Sequence, residues 1–278
     1  MPVTQQPPSP ADSAPSRLPS ALDPGTNLAR QLTHKRPVVF LDYDGTLTPI
    51  VARPELALLD AAVRRTLVAL AERCPVAIVS GRDRAELKRL FNVDGLIYAG
   101  SHGFDIRGPG LHSEHGAAFV PDLDDAEAEL RQSLIHIRGA LLERKTYALA
   151  AHVRGLAPAA ARAVEAAVDA VLSRHTRLRK GTGKMVFELL PRLDWHKGKA
   201  VLHILDTLRL PAAEVLPVYI GDDRTDEDAF AALAGRGVGI LVSETPRQTA
   251  AYYTLRNPDE VQRFLQRLVV LSDWPPAA

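Results

Sequence analysis

The chain has a single cysteine, Cys74, so no disulfide framework can form within it. Cys74 ends an amphipathic helical stretch beside Pro75 and is expected to be a small core residue rather than a catalytic thiol. No stretch approaches the roughly 18 consecutive apolar residues of a membrane span, and the N-terminus lacks the apolar segment of a secretory signal. A cytoplasmic location is therefore expected. Charge of one sign is not in excess either: 34 Lys and Arg against 33 Asp and Glu leave a net charge of +1. That balance argues against nucleic acid or an acidic membrane as partner and favours a small molecule. Internal repeats are absent.

At 278 residues the chain can bury one large core or two unequal domains. Residues 1 to about 30 are rich in Pro, Ser, Ala and Gln, and this arm is expected to be disordered, as are the last residues ending in Pro-Pro-Ala-Ala. From Pro37 the pattern alternates: strand Val38 to Leu41, helix Asp60 to Arg73, strand Val76 to Val79, helix Arg84 to Phe91, strand Leu96 to Ala99. It resumes with helix His196 to Leu208, strand Pro217 to Ile220, helix Thr225 to Leu233, strand Val238 to Val242 and helix Pro258 to Leu271. Thr225 and Asp228 approximate a capping box for the second of these helices. Such alternation predicts an α/β fold, a parallel sheet with helices on both faces. The intervening stretch reads differently, as helix Asp122 to Leu142, strand Thr146 to Val153, helix Pro158 to Arg174 and strand-like Thr176 to Arg179 and Met185 to Leu189.

Two aspartate clusters carry the chemistry. Asp42 and Asp44 in FLDYDGTL, and Asp222, Asp223, Asp226 and Asp228 in YIGDDRTDEDAF, each directly follow a short apolar run. If both runs are strands of one parallel sheet, the clusters cap carboxyl ends, where open α/β sheets gather ligands. Residues i and i+2 of an extended segment point the same way, which aims Asp42 and Asp44 at one target. So many carboxylates repel one another unless a hard divalent cation neutralises them, and Mg²⁺ prefers few carboxylates plus water and phosphate oxygens. The pattern predicts a metal-assisted phosphoryl-transfer site acting on a phosphate ester.

FLDYDGTLTPI resembles the nucleophile motif of the haloacid dehalogenase superfamily, SGR at Ser80 to Arg82 the second motif, Lys197-Gly198 in DWHKGKA the third, and GDDRTDEDAF the fourth. AGSHGFDI, ERK at Glu143 to Lys145, HVR at His152 to Arg154 and KMVFELLP at Lys184 to Pro191 resemble the trehalose-6-phosphate phosphatase family. The resemblance spans about Pro37 to Leu268. It implies a Rossmannoid core over residues 31–111 and 193–278, and an inserted α/β cap, a C2-type lid, over residues 112–192. The implied activity is Mg²⁺-dependent hydrolysis of trehalose 6-phosphate, the last step of trehalose synthesis, with a trehalose-phosphate synthase as a possible partner. A phosphatase for sucrose 6-phosphate or a mannosyl phosphate stays open, as do a phosphomutase and a silent sugar-phosphate sensor regulating the synthase.

Within that resemblance Asp42 is the expected nucleophile and Asp44 the acid that protonates the leaving sugar oxygen, then the base that activates water. Ser80, Gly81 and Arg82 are expected to hold phosphoryl oxygens at a helix start, and Lys197 to balance the charge on the nucleophile and the phosphoryl group. Lys199 is the rival lysine. The expected metal site is Asp42, Asp44 through its backbone carbonyl, Asp222 as the direct ligand of the second cluster, and Asp223, with Asp223 and Asp226 acting through water or as supports. Glu227 and Asp228 are expected to cap or solvate the following helix. Sugar recognition is expected from Glu143, Lys145, Arg154, Lys184 and Glu188 on the lid, with His152 beside them, and from His102 on the core loop Gly100 to Gly103.

Overall fold

The computed structural model describes residues 18–51, 56–183 and 185–271. Strand β1 (Arg36–Leu41) is buried from Pro37 onward, and its side chains alternate between two hydrophobic layers: Val39 and Leu41 enter one, Val38 and Phe40 the other. A strand covered on both faces must be apolar throughout, which is why its sequence does not alternate in polarity. The first layer is closed by α2 (Ala61–Ala71), α3 (Arg84–Phe91) and α8 (Pro258–Val270), and the second by α6 (Lys197–Leu208) and α7 (Glu227–Ala232). Asn257 starts α8 by accepting from the Glu260 amide, with Pro258 at the first helical position, where its missing N–H costs nothing.

The large sheet has eight strands. The remaining seven are β2 (Val76–Val79), β3 (Ile97–Gly100), β4 (Asp105–Gly108), β5 (Leu111–Glu114), β10 (Val215–Gly221), β11 (Val238–Val242) and β12 (Tyr253–Leu255). Their order is β12-β11-β10-β1-β2-β3-β4-β5, parallel except for β4 and β5. The chain builds outward from β1 on one side, leaves the sheet, and returns at β10 on the other. The β1–β10 boundary is thus the point where the direction of winding reverses. There Leu41 pairs with Ile220, and the Asp42 amide donates to the Ile220 carbonyl at 2.9 Å.

The excursion forms a second sheet of four antiparallel strands, β6 (Leu141–Lys145), β7 (Ala148–His152), β8 (Leu178–Gly183) and β9 (Val186–Pro191), in the order β6-β7-β9-β8. Helices α4 (Val120–Leu134) and α5 (Pro158–Arg174) cover one face, burying Leu123, Leu130, Val164 and Val168 against Leu149 and Leu189. Cross-strand pairing aligns Glu143, Ala150, Glu188 and Gly181 on the other face. The chain enters this unit near His115 and leaves it near Trp195, and these two rings stack with centroids 3.7 Å apart.

Four expectations need correction. The helix predicted over Asp122 to Leu142 ends at Leu134; Gly139, with φ +87°, turns the chain, and Leu141–Lys145 pairs with β7 instead. The disordered arm does not extend to residue 30: Ser20 bridges to Thr254, and α1 (Asn27–Leu32), capped by Thr26, buries Leu28 and Leu32. Residues 1–17 and the Pro-Pro-Ala-Ala end lie outside the described residues. Residues 112–114, assigned to the lid, lie in β5 of the large sheet, because a β4–β5 hairpin extends that sheet antiparallel. The capping box after β10 is Asp223 with Asp226, opening a 3₁₀ turn over Arg224–Asp226, not Thr225 with Asp228. Cys74 is buried as expected, which pushes its thiol up to about 12.

Candidate active site

Two neighbouring strand ends bring the distant clusters together. Asp42 follows β1 and Asp222 follows β10, and one oxygen each of Asp42, Asp222 and Asp226 lie within 4.8 Å of one another. Gly45 makes this approach possible. It turns the chain at φ +87°, and a Cβ there would collide with the Asp222 carboxylate, so only glycine meets both demands. Thr46 Oγ1 reaches Asp222 Oδ1 at 3.4 Å.

Lys197, at the start of α6, is nearly sealed from solvent; its Nζ donates to Asp42 Oδ1 at 2.8 Å and Asp226 Oδ1 at 2.7 Å. Asp226 also accepts from the Tyr219 hydroxyl at 2.7 Å and from the Asp223 amide at 2.8 Å. Burial alone would lower the pKa of Lys197, but Asp226 and Asp42 overcome it and hold the ammonium well above its ordinary range. For Asp42, burial outweighs the attraction of Lys197, and with the charges of Asp226 and Asp222 it drives the carboxyl well above the usual range.

A metal ion would relieve that crowding. A buried carboxyl crowded by two others is stabilised by a hard cation, and the donors are all oxygens, the set Mg²⁺ takes. Of the three, Asp226 is already committed to Lys197 and Tyr219. Asp223 lies outside the trio and turns its side chain into the capping box. Asp44 directs both carboxylate oxygens to Arg82, Nε to Oδ2 and Nη2 to Oδ1, each at 2.7 Å. Lys199 pairs with Asp194 away from Asp42.

Ser80 is buried at the end of β2, and its hydroxyl accepts from the Arg82 amide at 3.2 Å. Arg82 stacks over the Tyr43 ring at 5.1 Å and also pairs with Glu86. A Cβ on Gly81 would press on the His102 ring at 2.9 Å, so glycine lets His102 sit against this loop. Ser101 and His102 both have positive φ, and burial pushes the imidazole down to about 4. His102 is therefore neutral at physiological pH.

The polar face of the four-stranded sheet opposes these groups. Lys145 Nζ meets Glu188 Oε1 at 3.2 Å, and His152 Nε2 meets Glu143 Oε2 at 2.8 Å, a contact that holds the Glu143 carboxyl below its usual range. Arg154 reaches the Val51 carbonyl at 3.5 Å. Lys184 lies outside the described residues. A cavity of about 170 Å³ separates the two faces, lined by His102, Lys197 and Thr225 from below and by Arg179, Gly181 and Glu188 from above. An apolar groove of about 720 Å³ between α1 and α8 shares no residue with it. Arg179 and His196, which also lines the cavity, are not among the residues singled out in the sequence. Period 2 along β8 could have found Arg179, since it lies two residues from Gly181, opposite Glu188.

A parallel sheet with aspartates at two central strand ends, a buried lysine between them and an inserted α/β cap give the chain the fold of a solved haloacid dehalogenase-like hydrolase from Bacteroides thetaiotaomicron, which superposes with a TM-score of 0.57 at 17% identity over 84% of this chain. The family model for trehalose-phosphatase matches residues 40–259, and the chain belongs to the trehalose-phosphatase family. It is 40% identical over 265 residues to the probable trehalose-phosphate phosphatase D of Arabidopsis thaliana, covering 90% of this chain and 72% of that one. To the trehalose-phosphate phosphatase of Mycobacterium bovis it is 43% identical over 260 residues, covering 91% of this chain and 66% of the relative. A solved trehalose-6-phosphate phosphatase related protein superposes with a TM-score of 0.74 at 26% identity, over 84% of this chain and 97% of that one. The chain is accordingly a phosphatase. Among the described residues no helix is long and apolar enough to cross a membrane.

Proposed function

We propose that this phosphatase hydrolyses trehalose 6-phosphate to trehalose and inorganic phosphate with Mg²⁺, through an aspartyl-phosphate on Asp42. One observation carries the reading: Asp42, Asp222 and Lys197 converge beneath a cap face that presents Glu143, Lys145 and Glu188. The names of the relatives in Arabidopsis thaliana and Mycobacterium bovis supply the sugar.

Asp42, Asp222 and the Asp44 carbonyl would hold the cation, which when bound neutralises charge on the phosphoryl oxygens. An Asp42 oxygen attacks phosphorus and the bond to the sugar oxygen breaks, that oxygen taking a proton from Asp44. Water then attacks the phosphorus, gives its proton to Asp44, and releases phosphate and a regenerated Asp42. Lys197 holds the nucleophile in place and offsets its charge throughout. Ser80 and the amides of Gly81 and Arg82 receive phosphoryl oxygens, and Glu143, Lys145, Glu188, His102, Arg154 and Lys184 meet the sugar hydroxyls. A synthase that makes the sugar phosphate would act upstream, in the cytoplasm. The complete set Asp42, Asp44, Lys197 and Asp222 favours turnover over a silent sensor.

The test is phosphate release from trehalose 6-phosphate, sucrose 6-phosphate and glucose 6-phosphate, each with Mg²⁺ and with EDTA. Metal-dependent preference for trehalose 6-phosphate is expected, together with loss of turnover but retained substrate binding in Asp42→Asn. Another preferred sugar would overturn the substrate, and activity in EDTA the metal.

A further inference from the structure

Asp83 occupies the N-cap position of α3 with extended backbone, where an aspartate side chain ordinarily accepts from the first amides of the helix. It does not cap α3. Its Oδ2 instead crosses to the cap and accepts from the Thr146 amide at 2.8 Å and the Thr146 hydroxyl at 3.0 Å, while Oδ1 accepts from the Ser101 hydroxyl at 2.7 Å. Thr146 directly follows Lys145 in the turn between β6 and β7, and Ser101 directly precedes His102 on the strained core loop. One carboxylate thus ties together the neighbours of a core residue that lines the cavity, His102, and of a cap residue, Lys145, that pairs with the cavity-lining Glu188.

A good capping residue withheld from its own helix marks a local rule broken for a purpose elsewhere. The cap is joined covalently to the core only near His115 and Trp195, so any further attachment governs how it sits over the aspartates. Hydrogen bonds from a backbone amide and a hydroxyl to an ionised acceptor are stronger than neutral ones, yet Thr146 is exposed, so this attachment is reversible. The geometry assigns to Asp83 the role of a closure latch, a positioning residue that docks the β6–β7 turn on the core and sets Lys145 and His102 for the substrate. The part concerning Lys145 and the sugar rests on the proposed function; the docking itself does not.

The experiment compares the full chain with Asp83→Ala, Thr146→Val and the double variant. Hydrogen exchange of the β6–β7 turn amides without substrate reads the docking directly, and KM and kcat for trehalose 6-phosphate read its use. In Asp83→Ala the Thr146 amide is expected to exchange about tenfold faster and KM to rise about tenfold, with a smaller change in kcat. Thr146→Val keeps the amide bond and loses the hydroxyl, so its effect is smaller, and the double variant is no worse than Asp83→Ala alone. Asp83→Leu, nearly isosteric and unable to accept a hydrogen bond, gives the same ordering should the alanine variant fold poorly. Unchanged exchange at Thr146, or losses that simply add, would overturn the latch. If the wild type releases no phosphate from trehalose 6-phosphate, the proposed function falls while the exchange result still decides the docking.

Discussion

Arg82 grips Asp44 through two parallel hydrogen bonds of 2.7 Å, one to each carboxylate oxygen. If Asp44 is the acid proposed above, the oxygen that carries the proton turns to donate to the leaving sugar oxygen, and its contact with Arg82 weakens in that step. Arg82 is itself fixed by Glu86 and by the Tyr43 ring, which leaves Asp44 as the partner that moves.

The Arg82 fork is therefore expected to matter more than its charge. Arg82→Lys keeps the charge but loses the bidentate geometry, and kcat/KM should fall about 10- to 100-fold. The loss should be greater for trehalose 6-phosphate than for p-nitrophenyl phosphate, whose leaving group departs without a proton. Values of kcat/KM on both substrates check this, because they exclude the shared step in which water attacks; equal losses there would show that Arg82 acts on the phosphoryl group rather than through Asp44.

Gly45→Ala attacks the site through the backbone. The positive φ costs an alanine about 1–3 kcal/mol, and its Cβ displaces the Asp222 carboxylate. Thermal melts with and without Mg²⁺ separate the two effects. The wild type is expected to gain melting temperature with the metal, as any ligand that binds the folded state confers. The variant should melt lower and respond to Mg²⁺ weakly or not at all.

Asp226 is the aspartate of the second cluster whose removal should cost the most stability. It is fully buried and anchors Lys197, so Asp226→Ala breaks a buried ion pair, worth about 3–5 kcal/mol when one partner is lost. Asp223→Ala removes a capping side chain at about 1 kcal/mol. Urea denaturation of the two variants checks the ordering, and the reverse order would mean that Lys197 is held by other means.

The strand ends carrying Asp42 and Asp222 were legible because a strand buried on both faces must be continuously apolar, a local signature. Lys197 was legible only through the resemblance, since it stands before Gly198 in the third motif, whereas local patterning does not tell it from Lys199. Local patterning could not tell which aspartate of GDDRTDEDAF supports Lys197, because that depends on Tyr219 and the 3₁₀ turn. Strand β6 was hidden because its outward residues are Glu143 and Lys145, so LLERK reads as the tail of a charged helix until β7 is beside it. Packing of residues 18–32 was hidden because it rests on Thr254 and the α8 face, more than two hundred positions away. Asp83 is not singled out in the sequence, and only the position of the cap reveals its partner Thr146.

Burial also fixes how His102 responds to acid. Its imidazole is pushed from an ordinary 6.5 down to about 4, first by burial, with Lys197 and Lys145 adding to it against Glu188. Between those values the unfolded chain binds a proton that the folded chain refuses, so His102 contributes stability that is complete above pH 6.5 and is lost as the pH falls toward 4. Replacing it with glutamine removes this linkage. Melting temperatures measured from pH 7 down to 5, where most carboxylates stay ionised, should therefore fall less steeply in His102→Gln than in the wild type. The same argument predicts that the pH profile of kcat/KM carries no inflection near 6.5 from this residue. Parallel melting curves for the two proteins would mean that His102 titrates freely and is not buried against the Gly81 loop.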